Sequence, residues 1–200
     1  MRNVLRPALT LLLLLTGLTG FLYPLAVTGL GAVLFPHQAT GSLLVRDGRP
    51  VGSRLIGQAF SDPRYFWGRP SATTPQPYNA LASGGSNLGP LNPALQQAVQ
   101  ARVAALRAAD PDNHAAVPVD LVTASASGLD PEISVAGALY QAGRVARLRG
   151  LSPDAVRALI RSGTHGKFLG VFGESRVNVL ELNFALDRLN SQGAGSHPRS

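Results

Sequence analysis

Two glycine–serine loops are the segments of this sequence best suited to bind a ligand. They consist of Ser83, Gly84, Gly85, Ser86 and Asn87, and of Ser125, Ala126, Ser127 and Gly128. Consecutive backbone amides in such loops can form an anion-binding nest, and glycine permits close approach of a ligand or of another backbone. Because most glycine–serine loops are only turns, the sequence leaves both interpretations open.

Two acidic residues flank the second loop. Asp120 and Asp130 stand on either side of the segment from Thr123 to Gly128, and paired carboxylates can act as general acid and base. Asp130 precedes Pro131, however, and a capping side chain followed by proline is typical of the start of a helix. We therefore expect Asp130 to cap a helix rather than to take part in catalysis.

Other catalytic and metal-binding patterns are missing from the sequence. Cysteine is absent, and no two of the four histidines have the helical spacing of metal ligands. Neither G-x-S-x-G nor S-x-x-K occurs, and Gly166-Lys167 lacks the first glycine and the final hydroxyl residue of a phosphate-binding loop. We expect no catalytic residues and no metal site.

The net charge of +7 comes almost entirely from arginine, because Lys167 is the single lysine among 18 basic residues. The arginines are scattered from Arg2 to Arg199. A nucleic-acid-binding surface would concentrate basic and aromatic side chains in one stripe, and only residues 64–69 approach that pattern. No nucleic-acid partner is expected.

An uncharged N-terminal segment predicts a membrane anchor. Residues 8–35 include no charged side chain, and as a helix they span about 40 Å, more than the roughly 30 Å of bilayer hydrocarbon. A cleaved signal peptide would have an apolar stretch of only about 7 to 15 residues. Arg2 and Arg6 precede the segment and the first charge after it is Arg46, so the positive-inside rule places the N-terminus in the cytoplasm. We predict an anchor over residues 1–36 and an extracytoplasmic domain after it.

Residues 37–190 are predicted to form one small α+β domain. Asp47-Gly48 between two apolar segments predicts a β-hairpin, because this pair readily adopts the positive φ angles of tight turns. A cap-then-proline pattern predicts three helix starts, and apolar periodicity predicts two more strands and a last helix. The hairpin strands are 42–45 and 51–56, the helix starts are Asn92-Pro93, Asp130-Pro131 and Ser152-Pro153, the other strands are 117–123 and 168–172, and the last helix is 177–189. Residues 57–91 are expected to be an ordered loop region and residues 191–200 a disordered tail.

Six short blocks carry a resemblance to a known family. They are G-S-R-L-I-G-Q at 52–58, Y-F-W-G-R-P-S at 65–71, S-G-G-S-N-L at 83–88, P-V-D-L-V-T-A-S at 118–125, S-G-L-D-P at 127–131 and V-N-V-L-E-L-N at 177–183. Their order and spacing behind a single N-terminal helix resemble the C subunits of the Kdp potassium-transporting P-type ATPase, a multisubunit K⁺ pump of bacteria and archaea. The resemblance extends to about Leu189.

The resemblance implies a subunit without catalytic residues of its own that is essential for the assembled pump. Its partners in the family are a channel-like subunit that selects K⁺, an ATP-hydrolysing subunit and a small hydrophobic subunit that can join them. The family has been described as a catalytic chaperone that raises the ATP affinity of the hydrolysing subunit, and a Ser/Gly/Gln signature is invoked for this role. The nearest stretches here are Ser83–Asn87, Ser125–Gly128 and Gln141–Arg144, which are candidate nucleotide or partner contacts. No cofactor of the chain's own is implied, and ATP enters only through the complex.

Topology favours a second role for the domain. A single-pass subunit of the inner membrane with its N-terminus inside carries its domain outside, where ATP is scarce. Such a domain could pack over the external mouth of the K⁺-selective subunit and stabilise the complex or affect ion entry. An anchored exported binding module unrelated to K⁺ transport is the alternative function.

Overall fold

The computed structural model describes residues 2–194, with side chains described from Val4 to Leu189. The contacts divide the chain into two units, one ending at Val51 and the other beginning at Gly52. Each unit has its own architecture.

The first unit begins with a helix that is long and apolar enough to cross a bilayer. It comprises α1 (Arg2–Leu15), a π-helical segment (Thr16–Leu22) and α2 (Tyr23–Leu34). The stretch Val4–Leu34 has 31 residues and a mean hydropathy of 1.9, and none of its most apolar part is buried. A one-turn helix, α3 (Pro36–Ala39), follows.

The π-helical segment lies directly before Pro24 and has a local cause. Proline has no backbone N–H, so a carbonyl one turn earlier loses its usual donor. Here the helix widens, and the N–H of Tyr23 donates to the carbonyl of Leu18, five residues earlier. Thr19 Oγ1 also donates to the carbonyl of Leu15 at 2.7 Å. Widened turns and hydroxyl side chains are common ways to satisfy backbone groups around proline in membrane helices.

The predicted hairpin is confirmed. β1 (Leu43–Arg46) and β2 (Arg49–Ser53) form a two-stranded sheet. Asp47 has φ 51° and Gly48 has φ 74°, the positive angles expected of an Asp-Gly turn.

Up to residue 194, the second unit contains four α-helices and a small antiparallel sheet, which confirms the α+β class. The strand order is β3–β5–β4. In chain order the elements are α4 (Pro93–Ala109), β3 (Glu132–Ser134), α5 (Val135–Arg149), α6 (Pro153–Ser162), β4 (Thr164–His165), β5 (Arg176–Asn178) and α7 (Val179–Ala194).

Two of the three predicted helix starts are confirmed by their caps. Asn92 Oδ1 accepts the N–H of Ala94 at 2.9 Å at the start of α4. Ser152 Oγ accepts the N–H of Ala155 at 3.2 Å at the start of α6. In both cases proline occupies the first turn, where its missing N–H costs no helical hydrogen bond.

The third predicted start, Asp130-Pro131, is wrong. The three residues of β3 follow it, and α5 begins only at Val135, where Ser134 Oγ accepts the N–H of Gly137 at 2.9 Å. Strand pairing explains why the helix starts later than predicted, because Ile133 is buried in β3 opposite Val177 of β5. Asp130 therefore does not cap a helix; its Oδ1 accepts the N–H of Glu132 at 3.0 Å.

The two predicted strands after residue 116 are also wrong. Within 117–123 the chain forms a 3₁₀ turn, Val119–Leu121, in which Val119 is exposed and Leu121 is fully buried. Residues two apart would share one face of a strand, so the apolar alternation here does not reflect strand geometry. Residues 168–172 instead close a tight turn.

The core of the second unit lies between α5, α6 and α7. Ala138, Val145, Val156, Ile160 and Leu186 are all buried there. The irregular segment 57–91, predicted as an ordered loop region, adds the side chains of Phe66 and Trp67 to this core. α7 begins two residues later than predicted because β5 occupies Arg176–Asn178, and it continues to Ala194. Residues 195–200 of the predicted tail lie outside the described residues.

Candidate functional site

The two glycine–serine loops lie against each other. The N–H of Gly84 donates to the carbonyl of Ser127 at 2.9 Å, and Ser83 Oγ donates to the same oxygen at 3.0 Å. A Cβ at Gly85 would lie 2.9 Å from the carbonyl oxygen of Ala126. At Gly85, the close approach that glycine permits is made by the backbone of Ala126 and not by a ligand.

Gly128 is the tightest point of this loop pair. Its φ is +67°, and a Cβ there would lie 2.6 Å from both the carbonyl oxygen of Gly84 and Cγ2 of Thr73. Its N–H donates to Ser125 Oγ at 3.0 Å, and the N–H of Leu129 donates to Ser127 Oγ at 3.1 Å. The amides of Gly128 and Leu129, at the end of the loop, are thus already bonded to hydroxyls of the loop.

Two hydroxyl residues that the sequence reasoning missed support the loop pair. Ser71 Oγ donates to the carbonyl of Gly128 at 2.7 Å and accepts the N–H of Tyr78 at 2.9 Å. Thr73 Oγ1 donates to the carbonyl of Gln76 at 2.8 Å. Ser71 was visible in the sequence as the end of the block 65–71, but its partner Gly128 is 57 residues away. Ser86 and Asn87 remain exposed at the outer end of the first loop.

A groove of about 540 Å³ borders the second loop. It is lined by Leu55, Arg69, residues 125–127 and residues 129–131. Arg69 Nη1 forms an ion pair with Asp130 Oδ2 at 3.0 Å, and its Nε is buried without a hydrogen-bond partner among the described residues. The Asp130 carboxylate is therefore paired with the guanidinium of Arg69.

The other carboxylate considered for acid–base chemistry is also engaged. Asp120 Oδ2 accepts the N–H of Ser134 at 2.6 Å, and its Oδ1 accepts Ser134 Oγ at 3.1 Å. Asp120 thereby ties the 3₁₀ turn to the start of α5. Within residues 2–194, no three histidine or acidic side chains are grouped as a metal site would require.

Gln141 and Asn183 form an amide clamp, by which we mean these two side chains around the backbone of Phe66 and Trp67. Asn183 Oδ1 accepts the N–H of Phe66 at 2.9 Å, and its Nδ2 donates to the carbonyl of Phe66 at 3.0 Å. Gln141 bonds to Trp67 with the same geometry. Its Oε1 accepts the N–H of Trp67 at 2.8 Å, and its Nε2 donates to the carbonyl of Trp67 at 3.0 Å. Both residues are 1% exposed, so the clamp fixes a loop segment inside the core.

Arg144 completes the clamp. It is 2% exposed; its Nη2 donates to Gln141 Oε1 at 2.7 Å, and its Nη1 donates to the carbonyl of Pro63. The guanidinium lies 4.9 Å from the ring centre of Trp67, a cation–π distance. Burial lowers the pKa of Arg144 to about 10. The Gln141 and Arg144 side chains are thus used in internal contacts, separate from the glycine–serine loops.

The loop that enters the clamp carries a pH-sensitive ion pair. The Arg64 guanidinium bonds to the partly exposed Asp62 carboxylate, with Nη2 to Oδ2 at 2.7 Å, and lowers the pKa of Asp62 to about 2. A depressed carboxyl pKa means that the ion pair stabilises the fold at pH values above the unfolded pKa near 3.9. This stabilisation is lost as the pH falls through about 2.

We expect a carboxyl NMR titration of Asp62 with a midpoint near 2. Arg64→Gln should move the midpoint towards the unfolded value, whereas Arg157→Gln, at a separate ion pair, should not; an unchanged midpoint in Arg64→Gln contradicts the assignment.

Comparison with known proteins identifies the family. The sequence model described as "KdpC: K+-transporting ATPase, c chain" matches residues 5–188. The chain belongs to the KdpC family. It is 67% identical over 194 residues to the potassium-transporting ATPase KdpC subunit of Polaromonas naphthalenivorans, covering 97% of this chain and 99% of that protein. It is 70% identical over 187 residues to the corresponding protein of Variovorax paradoxus, covering 94% and 97%.

Family membership makes this chain a subunit of a potassium-transporting ATPase complex, as the resemblance implied. Family membership also rules out the alternative function, a binding module unrelated to K⁺ transport. In this KdpC-family chain the blocks that carried the resemblance meet in space. Residues 65–71 are held by Asn183 of the block 177–183, and the block 83–88 contacts the block 127–131.

Proposed function

We propose that this KdpC-family chain is a non-catalytic accessory subunit that supports the assembly and stability of the potassium pump. Its partners are the channel-like K⁺-selective subunit, the ATP-hydrolysing subunit and the small hydrophobic subunit. The observation that carries the proposal is the family match over residues 5–188. The engagement of Asp120 and Asp130 in structural contacts supports the absence of a catalytic role.

The chain is proposed to be a single-pass protein of the inner membrane with its N-terminus in the cytoplasm and its domain outside. The apolar helix Val4–Leu34 supports the single span. Arg2 and Arg6 before it, with no further charge until Arg46, support the orientation.

The outer domain is proposed to pack over the external mouth of the K⁺-selective subunit. A cationic surface at that place would repel K⁺, yet at least eight arginines of this chain pair with carboxylates. Arg144 and Arg102 donate instead to backbone carbonyls. Local neutralisation of the basic residues is compatible with a position beside a cation entrance.

The effect on ATP affinity described for the family is proposed to act through contacts between subunits, with no nucleotide held by this chain. Support comes from the candidate nucleotide contacts, because these groups already form contacts within the domain. The amides of Gly128 and Leu129 bond to hydroxyls of the second glycine–serine loop, and Gln141 and Arg144 are buried in the clamp. Outer placement of the domain separates it from cytoplasmic ATP.

The sidedness of the domain tests this proposal. The chain has no cysteine, so Leu91→Cys, at a side chain that is 96% exposed, gives one labelling site. We expect an impermeant thiol reagent to label Leu91→Cys in intact cells. A cysteine added ahead of Met1 is the matched control and should react only after the membrane is opened.

The reverse result would overturn the proposed orientation. Protection of Leu91→Cys until the membrane is opened would place the domain in the cytoplasm and favour direct contact with nucleotide. Co-purification of the labelled chain with the K⁺-selective and ATP-hydrolysing subunits confirms that the labelled molecules are assembled.

A further inference from the structure

One backbone carbonyl in the middle of the membrane helix lacks both of its regular helical donors. In an α-helix the N–H of Tyr23 would donate to the carbonyl of Thr19, but here it donates to the carbonyl of Leu18. The π-helical donor to Thr19 would be the residue five positions later, which is Pro24 and has no N–H. The carbonyl oxygen of Thr19 is therefore free to accept a hydrogen bond from outside the helix.

This carbonyl lies within the hydrocarbon layer wherever the helix is centred in the bilayer. The candidate span Val4–Leu34 has 31 residues, and about 20 residues of helix cross the hydrocarbon. Thr19 is the midpoint of the span, so every stretch of that length within it includes this residue. A backbone group without a partner is strongly unfavourable at this depth, because the hydrocarbon holds no water to bond with it.

The helix surface beside Thr19 is open to a neighbouring helix. Gly17 and Gly20 carry no side chain. Apart from adjacent residues and the helix backbone, a Cβ at Gly17 would have no atom within 4 Å, and one at Gly20 would meet only Thr16 Cγ2 at 3.9 Å. No residue of the π-helical segment Thr16–Leu22 is buried. Small residues of this kind let the backbone of another membrane helix approach closely.

The missing donor distinguishes a protein partner from lipid. Acyl chains carry no hydrogen-bond donor, so contact with lipid alone would leave the Thr19 carbonyl unpaired. A transmembrane helix with a serine, threonine, asparagine or glutamine side chain can supply a hydroxyl or amide donor. The chain is a subunit of a potassium-transporting ATPase complex, so it has partner subunits.

We propose that the Thr19 carbonyl accepts a hydrogen bond from a side-chain donor on a transmembrane helix of a partner subunit. This bond holds the N-terminal helix of the chain in the assembled pump. The proposal rests on the proposed membrane span and accessory role, and it adds the atom through which the span is bound.

Restoring the missing N–H tests this bond. Pro24→Ala allows the helix to return to the α-helical pattern, in which Tyr23 donates to Thr19. The variant and the unsubstituted chain, with different affinity tags, are expressed together with limiting amounts of the partner subunits. Their ratio in purified complexes is divided by their ratio in total membranes. We expect about threefold less Pro24→Ala in the complexes, the usual size of one hydrogen bond between membrane helices.

Pro36→Ala is the matched control for this competition. Pro36 is the first residue of α3, where its missing N–H costs no helical hydrogen bond. We therefore expect Pro36→Ala to enter the complexes as well as the unsubstituted chain does.

Carbonyl NMR observes the bond without changing the helix. Threonine labelled with ¹³C at the carbonyl and glycine labelled with ¹⁵N select the four Thr-Gly pairs of the chain, at 16–17, 19–20, 28–29 and 40–41. Thr19→Ser removes one signal and so assigns it. When the labelled chain in bilayers is combined with unlabelled partner subunits, we expect the Thr19 signal to move downfield, as for a carbonyl that gains a donor. The Thr28 signal, from the same helix, should not move.

Three results would overturn the proposal. One is equal incorporation of Pro24→Ala and Pro36→Ala, and another is a Thr19 signal that does not move on assembly. The third is a Thr19 signal that is already downfield in the isolated chain. Water would then be its partner if the signal is independent of chain concentration, and a second copy of the chain if it is not. If Pro24→Ala fails to fold, the NMR measurement still decides.

A failure of the proposed function gives a different result. The unsubstituted chain would then not enter complexes with the partner subunits at all. If it does enter them and the Thr19 carbonyl gains no donor, only the present inference is wrong.

Discussion

Replacing Gln141 with leucine is expected to lower the free energy of unfolding of the domain by about 3–5 kcal/mol. The substitution preserves side-chain volume but removes both hydrogen bonds to the backbone of Trp67 and the acceptor for Arg144 Nη2. Each buried polar group left without a partner costs about 1–3 kcal/mol, and a buried cation costs more than a neutral group. Urea unfolding of the full chain in detergent measures the loss, and Trp67, the single tryptophan, reports directly on the clamp.

The matched control for this prediction is Gln97→Leu. Gln97 is exposed on α4, so the same chemical change there should alter the free energy of unfolding by about 0.5 kcal/mol or less. A loss below about 1 kcal/mol for Gln141→Leu would show that water or a shifted side chain satisfies the Trp67 backbone, and that the clamp does not stabilise the fold.

The second large effect is expected for Gly128→Ala, with a loss of about 2–4 kcal/mol in the free energy of unfolding. The positive φ costs about 1–2 kcal/mol for an L-residue, and a methyl group 2.6 Å from both Gly84 O and Thr73 Cγ2 forces the loops apart. Gly150→Ala separates the two contributions, because Gly150 has φ +65° and, apart from its immediate chain neighbours, no atom lies within 4 Å of the position that the added methyl group would take. We expect about 1–2 kcal/mol for Gly150→Ala in the same unfolding experiment, from the backbone alone.

Gly128→Ala also discriminates between the two roles considered for the loop pair. If the loops only pack against each other, pumps that assemble with Gly128→Ala should keep the ATP affinity of the unsubstituted complex, measured as KM for ATP hydrolysis. A raised KM in complexes with normal composition and a folded domain would instead indicate that this loop contacts nucleotide or transmits its binding.

Local chemistry determined the features that the sequence predicted correctly. Asn92 and Ser152 cap helices because their side chains reach N–H groups only two or three residues away. Asp47-Gly48 turns the chain because both residues tolerate positive φ. The apolar helix Val4–Leu34 follows from composition alone. In each case the groups that interact are neighbours in the chain, so no knowledge of distant partners was needed.

Only the tertiary structure decided the role of the polar residues. Asp130 has the local pattern of a helix cap, but Arg69, 61 residues away, and the pairing of β3 with β5 assign it elsewhere. The periodicity of residues 117–123 fits a strand, yet the segment pairs with no strand among the described residues and forms a turn.

The partners of the candidate site residues were likewise set by the fold. Gln141 was placed by the sequence in a candidate nucleotide motif, while the structure bonds it to Trp67, 74 positions away. The two glycine–serine loops, 44 residues apart, meet through backbone groups that every residue carries. Amide and glycine contacts of this kind leave no periodic signal in the sequence, because their partners are set by packing of the whole domain.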